Sequence, residues 1–231
     1  MTDEFEEIFE ALPIFPLSVV LFPREILPLH IFEERYKQMI KYALDHGAVF
    51  GLSYEAAAAV DHQSPPSIGS VGTAAKVNAV MPLDEGRMNI VSTGLVRYRV
   101  AGLSQREPFI IARVDAFADD EIEDDFQELF EEVSHASERF IAAARALDEL
   151  GPLPDELPED PEDFSLFVSS LLPIQSDSKQ RLLEMTSTRT RLSRLRRYLA
   201  SAIGDYETRL KITEAARKNG HGKLPKEVDH A

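Results

Sequence analysis

Four prolines, Pro13, Pro16, Pro23 and Pro28, punctuate the apolar stretch LPIFPLSVVLFPREILPLHIF over residues 12–32. Proline fixes φ and lacks a backbone N–H, so this stretch cannot run as a helix interior or as a central strand with both edges paired. It predicts a first pair of short strands, Ile14–Leu21 and Ile26–Ile31, broken at a Phe22-Pro23-Arg24-Glu25 turn. A helix is predicted from Glu33. Tyr36, Met39, Ile40, Ala43 and Leu44 recur at the 3–4 spacing of one buried face, and Gly47 supplies the left-handed stop.

The first 117 residues continue as strand. Val49–Leu52 is short and apolar, and residues 55–69, with Pro65-Pro66 and Gly69, form a loop. In Val71, Thr73, Ala75, Val77, Ala79 and Met81, apolar or small residues alternate with period two, so all six are expected to point inward. Asp84-Glu85-Gly86-Arg87 is the turn, Met88–Val100 returns with Gly94 as a bulge or barrel corner, and Phe109–Val114 closes the half. Many strands on short turns predict a small curled sheet or barrel.

The second half is helical. Phe126, Leu129, Phe130, Val133, Phe140, Ile141, Ala144 and Leu147 mark one helix. Pro152, Pro154, Pro158 and Pro161 then mark a linker. Asp160 caps the next helix, with Pro161 at its first position, and Pro173 ends it. Ser176 or Asp177 caps a third. A long last helix carries Leu192, Leu195, Leu199, Ile203, Tyr206 and Leu210. The fold class is therefore α+β: an N-terminal β-rich barrel-like part with one helix, 1–117, followed by a C-terminal helical bundle, 118–216, and a flexible tail, 217–231.

Net charge is −15. Residues 115–163 hold 19 Asp/Glu and 2 Lys/Arg, whereas residues 179–231 hold 6 Asp/Glu and 13 Lys/Arg. Acidic and basic helices are expected to neutralise one another. Overall acidity, with no basic stripe bearing stacking aromatics, argues against nucleic acid as a partner. The acidic start MTDEFEEIFEAL is unlike a secretory signal, and no apolar run is long enough to span a membrane. The chain has no cysteine. Disulfides, thiolate metal sites and cysteine nucleophiles are excluded together, and a cytoplasmic location is expected.

Catalytic motifs are missing. No two of His30, His46, His62, His135, His221 and His230 are four apart, so no HExxH zinc helix exists. Ser53 lacks a glycine elbow, and Gly69-Ser70-Val71-Gly72-Thr73 lacks the lysine of a phosphate loop. His30, within PLHIF, is expected to be a satisfied structural histidine. The acidic run Asp119–Asp125 is expected to be a solvated helix start. Arg189, Arg191, Arg194, Arg196 and Arg197 are expected on an outer face paired with acids, an anion site there being the sharper alternative. No metal or cofactor is expected.

Three ordered segments resemble the N-terminal domain of Lon proteases and its stand-alone bacterial relatives. The first is Leu12–Tyr36, with Phe22-Pro23 and Pro28-Leu29-His30-Ile31-Phe32-Glu33. The second joins Gly69-Ser70-Val71-Gly72-Thr73-Ala74-Ala75, Asp84-Glu85-Gly86 and Gly94-Leu95-Val96-Arg97-Tyr98-Arg99. The third runs from Leu172-Pro173-Ile174 through Lys179–Glu184 to Arg191-Leu192. The resemblance implies a PUA-like pseudo-barrel followed by a helical bundle. It also implies a role in recognising unfolded or partner polypeptides, without the ATPase and serine–lysine peptidase modules of full-length Lon. The chain is therefore expected not to be an enzyme.

The outward face of the first helix, Glu34, Arg35, Lys37 and Lys41, is the candidate binding site, and glutamate at Arg35 and Lys37 is expected to weaken client binding. A small-molecule binder or hydrolase with a pocket at the barrel mouth is the alternative, and a homodimer is a further possible use of exposed apolar surface.

Overall fold

In the computed structural model, residues 3–56, 65–120, 126–150, 153 and 157–218 are described. The elements are α1 (Asp3–Glu10), β1 (Leu12–Leu17), β2 (Ile26–Ile31), α2 (Glu34–Asp45), β3 (Val49–Tyr54), β4 (Val71–Pro82), β5 (Met88–Gln105), β6 (Ile110–Ala116), α3 (Gln127–Ala146), α4 (Pro161–Leu171), α5 (Ser176–Leu183) and α6 (Thr188–Lys218). Contacts divide them into two units, Met1–Asp125 with Pro158–Arg191, and Phe126–Leu157 with Leu192–Ala231. The mixed sheet and helices make an α+β fold. The expected division at 117/118 follows secondary-structure type, whereas compactness groups α4 and α5 with the strands. The expected loop 55–69, linker prolines Pro152 and Pro154 and tail 217–231 lie in part outside the described residues.

The sheet order is β2-β5-β4-β3-β1-β6, and a further β5–β6 pairing closes the last five strands into a ring. The prolines explain their own placement. Pro13 pairs only with β6 and Pro16 only with β3, so each sits where one flank of β1 is free. Pro28 lies in β2, the strand outside the ring. The two proline-rich strands do not pair with each other, contrary to the expected adjacent pair. β1 runs parallel to β3, which requires a crossover, and β2 with α2 supplies it. β1 also ends at Leu17 rather than Leu21. The Phe22–Glu25 turn instead seats on Gly94, whose N–H donates to Glu25 O at 2.9 Å and whose carbonyl accepts from Arg24 N at 2.8 Å.

The ring interior is filled. Leu12, Ile14, Val49, Ala74, Tyr98, Val100, Ala112 and Val114 form its core, joined by Phe9 of α1, a helix the sequence reading did not anticipate. Tyr98 is fully buried, its hydroxyl donating to Leu52 O at 3.2 Å. Burial pushes that hydroxyl far above its ordinary pKa. A second core lies on the other side of the strands, where Tyr36, Met39, Ile40 and Ala43 of α2 cover Leu52, Val77 and Ile90. Leu44, expected inside, is 42% exposed.

A buried ion cluster fastens α4, α5 and the start of α6 within the first unit. Asp119 takes hydrogen bonds from Arg97 Nη2 at 2.6 Å, Arg191 Nη2 at 2.6 Å and Thr188 Oγ1 at 2.5 Å. Arg97 also reaches Glu162 at 2.7 Å and the carbonyls of Leu183 and Met185. This corrects two expectations. Arg191 is fully buried rather than on an outer face, and Asp119 is buried rather than solvated, because each saturates the other. Burial alone would raise the Asp119 carboxyl, but its bonds to Arg191 and Thr188 and the charge of Arg97 hold it below the ordinary carboxylate value. As expected, Asp160 caps α4, accepting from Asp163 N at 3.0 Å. The third helix instead takes Gln175 as its N-cap, with no side-chain bond.

In the second unit α3 and α6 bury Val133, Phe140, Ala144, Leu195, Leu199 and Tyr206. Arg196 pairs with Glu132 at 3.0 Å, Arg139 with Glu207 at 2.8 Å, and Arg209 with Glu149. The acidic and basic stretches thus meet as charge composition implied.

Candidate functional site

Beyond the ring, β4 and β5 continue as a hairpin, with β2 alongside, to make a three-stranded antiparallel wing. Register places His30, Asn89 and Met81 in one row and Pro28, Val91 and Ala79 in the next. Ile26 and Phe32 flank these rows on β2 and just past its end. The inner face, with Leu27, Leu29, Ile31, Val80 and Ile90, is packed against the α2 core. The outer face has no cover among the described residues. Ile26 is 61% exposed, Phe32 59% and Met81 51%. One face of an antiparallel sheet ordinarily meets water with polar residues, so an apolar outer face is informative.

Two local causes turn these residues outward. A register shift between Val77 and Ala79 breaks the period-two pattern of β4. Ala79 and Met81, expected inside, therefore lie on the outer face, while Val80 turns in. In β2 both parities are apolar, so whichever set covers α2, the other set is left exposed. His30 is the polar exception. Its Nδ1 lies 2.7 Å from Asn89 Oδ1 and its ring stacks on Phe32 at 5.9 Å. It is satisfied, as expected, but exposed rather than within a core.

Phe32 and Glu33 are consecutive, so the wing's outer face ends where a cleft of about 690 Å³ begins. Its walls are the first turn of α2, Pro16 of β1 and the β5–β6 turn with Arg106, Pro108 and Phe109. Of the four expected site residues, Glu34 and Arg35 line this cleft, and Lys37 and Lys41 do not. Arg35 is already engaged, bonded through Nε to Glu33 at 3.0 Å and lying 4.5 Å over the Tyr36 ring. Lys37 donates to Glu85 O at the hairpin tip at 2.9 Å and lies 3.5 Å from Glu34. Lys41 is exposed. Among the described residues, the cleft lining contains no serine, threonine, histidine or lysine. Among the described residues no cluster of His, Asp and Glu has metal-binding geometry, and no helix is long and apolar enough to cross a membrane.

Comparison with known proteins agrees with this architecture. The Lon protease of Aquifex aeolicus is 25% identical over 224 residues, covering 94% of this chain and 28% of the relative. That of Anaeromyxobacter dehalogenans is 29% identical over 195 residues, covering 81% of this chain and 22% of the relative. The chain thus spans roughly a quarter of the length of these relatives. A Lon N-terminal domain protein from Xanthomonas campestris superposes with a TM-score of 0.57 at 20% identity, over 80% of this chain and 96% of that one. The N-terminal domain of a Mycobacterium avium complex Lon protease gives 0.59 at 14% identity, over 82% and 98%. The family model for the ATP-dependent protease La (LON) substrate-binding domain matches residues 11–201, and this chain belongs to that family.

Proposed function

We propose that this chain is a non-catalytic polypeptide-recognition module that captures apolar segments of unfolded or partner proteins on the outer face of the wing. The uncovered apolar face of β4, β5 and β2 carries this reading. Clients bind through side-chain contact with Ile26, Phe32 and Met81 rather than by adding a strand, because Pro28 removes a donor from the middle of the free β2 edge. Glu34, Arg35, Lys37 and Lys41 form the charged border beside this face and the cleft. The ring interior is filled by Tyr98, which weighs against a ligand held inside the barrel. Work in protein quality control in the cytoplasm fits a cysteine-free chain.

Fluorescence anisotropy with labelled, reduced and carboxymethylated α-lactalbumin, a permanently unfolded chain, tests the reading. Binding is expected, and Phe32→Ser with Met81→Ser lowers affinity by tenfold or more, since each anchor contributes on the order of 1.5 kcal/mol when covered. Equal binding by wild type and the double variant sinks the wing as the site. Arg35→Glu with Lys37→Glu gives a smaller loss, set by the charge of the border.

A further inference from the structure

The opposite end of α2 carries a separate cavity, of about 310 Å³, between α1 and α2. Glu7, Ile8, Tyr42, Asp45 and His46 are among the residues lining it. Tyr42 and His46 stack with centroids 4.1 Å apart and planes 20° from parallel. His46 Nδ1 lies 2.8 Å from the Tyr42 carbonyl oxygen. A carbonyl only accepts, so Nδ1 carries the proton, and in the neutral ring Nε2 is left as an acceptor. The cavity therefore offers two carboxylates, an imidazole lone pair and a stacked pair of rings. Among the described residues, none of those lining it is a lysine or arginine. Both helices end beside it without a lysine or arginine in the last turn, so no such side chain adds positive charge at the negative ends of their dipoles.

A planar cation that only donates hydrogen bonds and stacks on aromatic rings matches this set, and the guanidinium is the side-chain group with those properties. We propose that the α1–α2 cavity binds the guanidinium of an arginine presented by a partner polypeptide. The source is a polypeptide rather than a free small molecule because half of the lining residues are exposed and leave the cavity open on one side. Glu7, Asp45 and His46 are all exposed, and Leu44, one residue before Asp45, offers a further 42%-exposed apolar contact to a larger partner. The chain's net charge of −15 draws such basic segments towards it. This site lies apart from the wing and does not depend on the wing's role.

Heteronuclear NMR of the isotope-labelled full chain, titrated with the blocked tripeptide acetyl-Gly-Arg-Gly-amide, tests it. Saturable shifts are expected at the amides of Glu7, Ile8, Ala11 and Tyr42–Gly47. The same tripeptide with citrulline, isosteric but uncharged, should bind at least roughly tenfold more weakly, as should the arginine peptide with the Glu7→Gln, Asp45→Asn variant. His46→Ala should weaken arginine more than lysine, because it removes the exposed ring of the stacked pair. Equal shifts with citrulline, unchanged affinity in the double variant, or shifts spread over every acidic surface would overturn the proposal. Tighter binding of free arginine than of the tripeptide would overturn the assignment to a polypeptide. Wing residues should not respond to the tripeptide, so this outcome and the fate of the wing reading are read separately.

Discussion

Strands β4 and β5 pass through two environments, and the contrast between them separates residues that hold the fold from residues that folding does not need. In the ring they surround Tyr98, with Gly72 packed against its hydroxyl and Arg97 locked into the ion cluster. In the wing the same strands are covered on one face by α2 and bare on the other. Ring residues are over-determined by neighbours, so a change there is felt as lost folding free energy. Outer wing residues touch little, so a change there leaves folding nearly untouched and is felt only by whatever docks.

The sharpest test of that contrast is Asp119→Ala. It leaves Arg97 and Arg191 buried without the carboxylate between them, and breaking a buried ion pair by removing one partner costs about 3–5 kcal/mol. Urea denaturation should show that loss. A loss below about 1 kcal/mol would mean that water reaches the cluster, and the ring would then be no more rigid than the wing. The pH dependence has a definite sign. The folded Asp119 carboxyl is held below its ordinary value. Its contribution is therefore present above the unfolded aspartate pKa of about 3.9 and is lost as pH falls through the lower folded value. Asp119→Asn should flatten the stability profile in that acid range only.

A smaller effect is expected at Gly72→Ala. A Cβ there would sit 2.5 Å from Tyr98 Oη and press on the Leu52 carbonyl, so the ring must deform. Overpacking of this kind costs roughly 1–3 kcal/mol. Gly102→Ala, on the neighbouring strand β5 and with open space around the new methyl, is the control and should stay within about 0.5 kcal/mol of wild type. Equal losses at both glycines would assign the cost to strand conformation rather than to the filled ring.

How far each region is legible in the sequence follows from the same physics. Prolines, period-two alternation and helical spacing are local signals. They give the β-then-α order, the wing hairpin, the buried face of α2 and the Asp160 cap. The ring's closure is not local. Pairing β5 with β6 and β1 with β3 depends on partners distant in sequence. Burial of Arg191 and Asp119 likewise depends on each finding the other across 72 residues. Polar type and a charged neighbourhood place both outside; only mutual saturation lets them in. The wing's outer face is hidden in the sequence for a different reason. A one-residue register shift after Val77 reverses every later side chain of β4, and nothing in a regular alternation announces it. One signal was available: in Ile26–Ile31 both parities are apolar, which is uneconomical for a strand with only one covered face. The residues of α2 expected as a site lie beside the wing because the helix begins where the wing ends, and Arg35 and Lys37 are held by the protein itself.

The smallest expected effect is the one that most directly divides wing from ring. Ile26→Ser and Met81→Ser remove large apolar side chains, a change that would cost about 2–5 kcal/mol inside a core. Here each side chain is more than half exposed, so each variant should lie within about 0.5 kcal/mol of wild type, and differential scanning calorimetry should register a Tm shift of at most about 2 °C. A larger loss would show that the outer face is already covered in the free protein, by a second copy or by the chain itself, and sedimentation at several concentrations would separate those two. A negligible loss, together with weakened capture of an unfolded chain, means that these side chains are kept apolar at a position where folding gains nothing from it, which is the physical mark of a surface built for something else to touch.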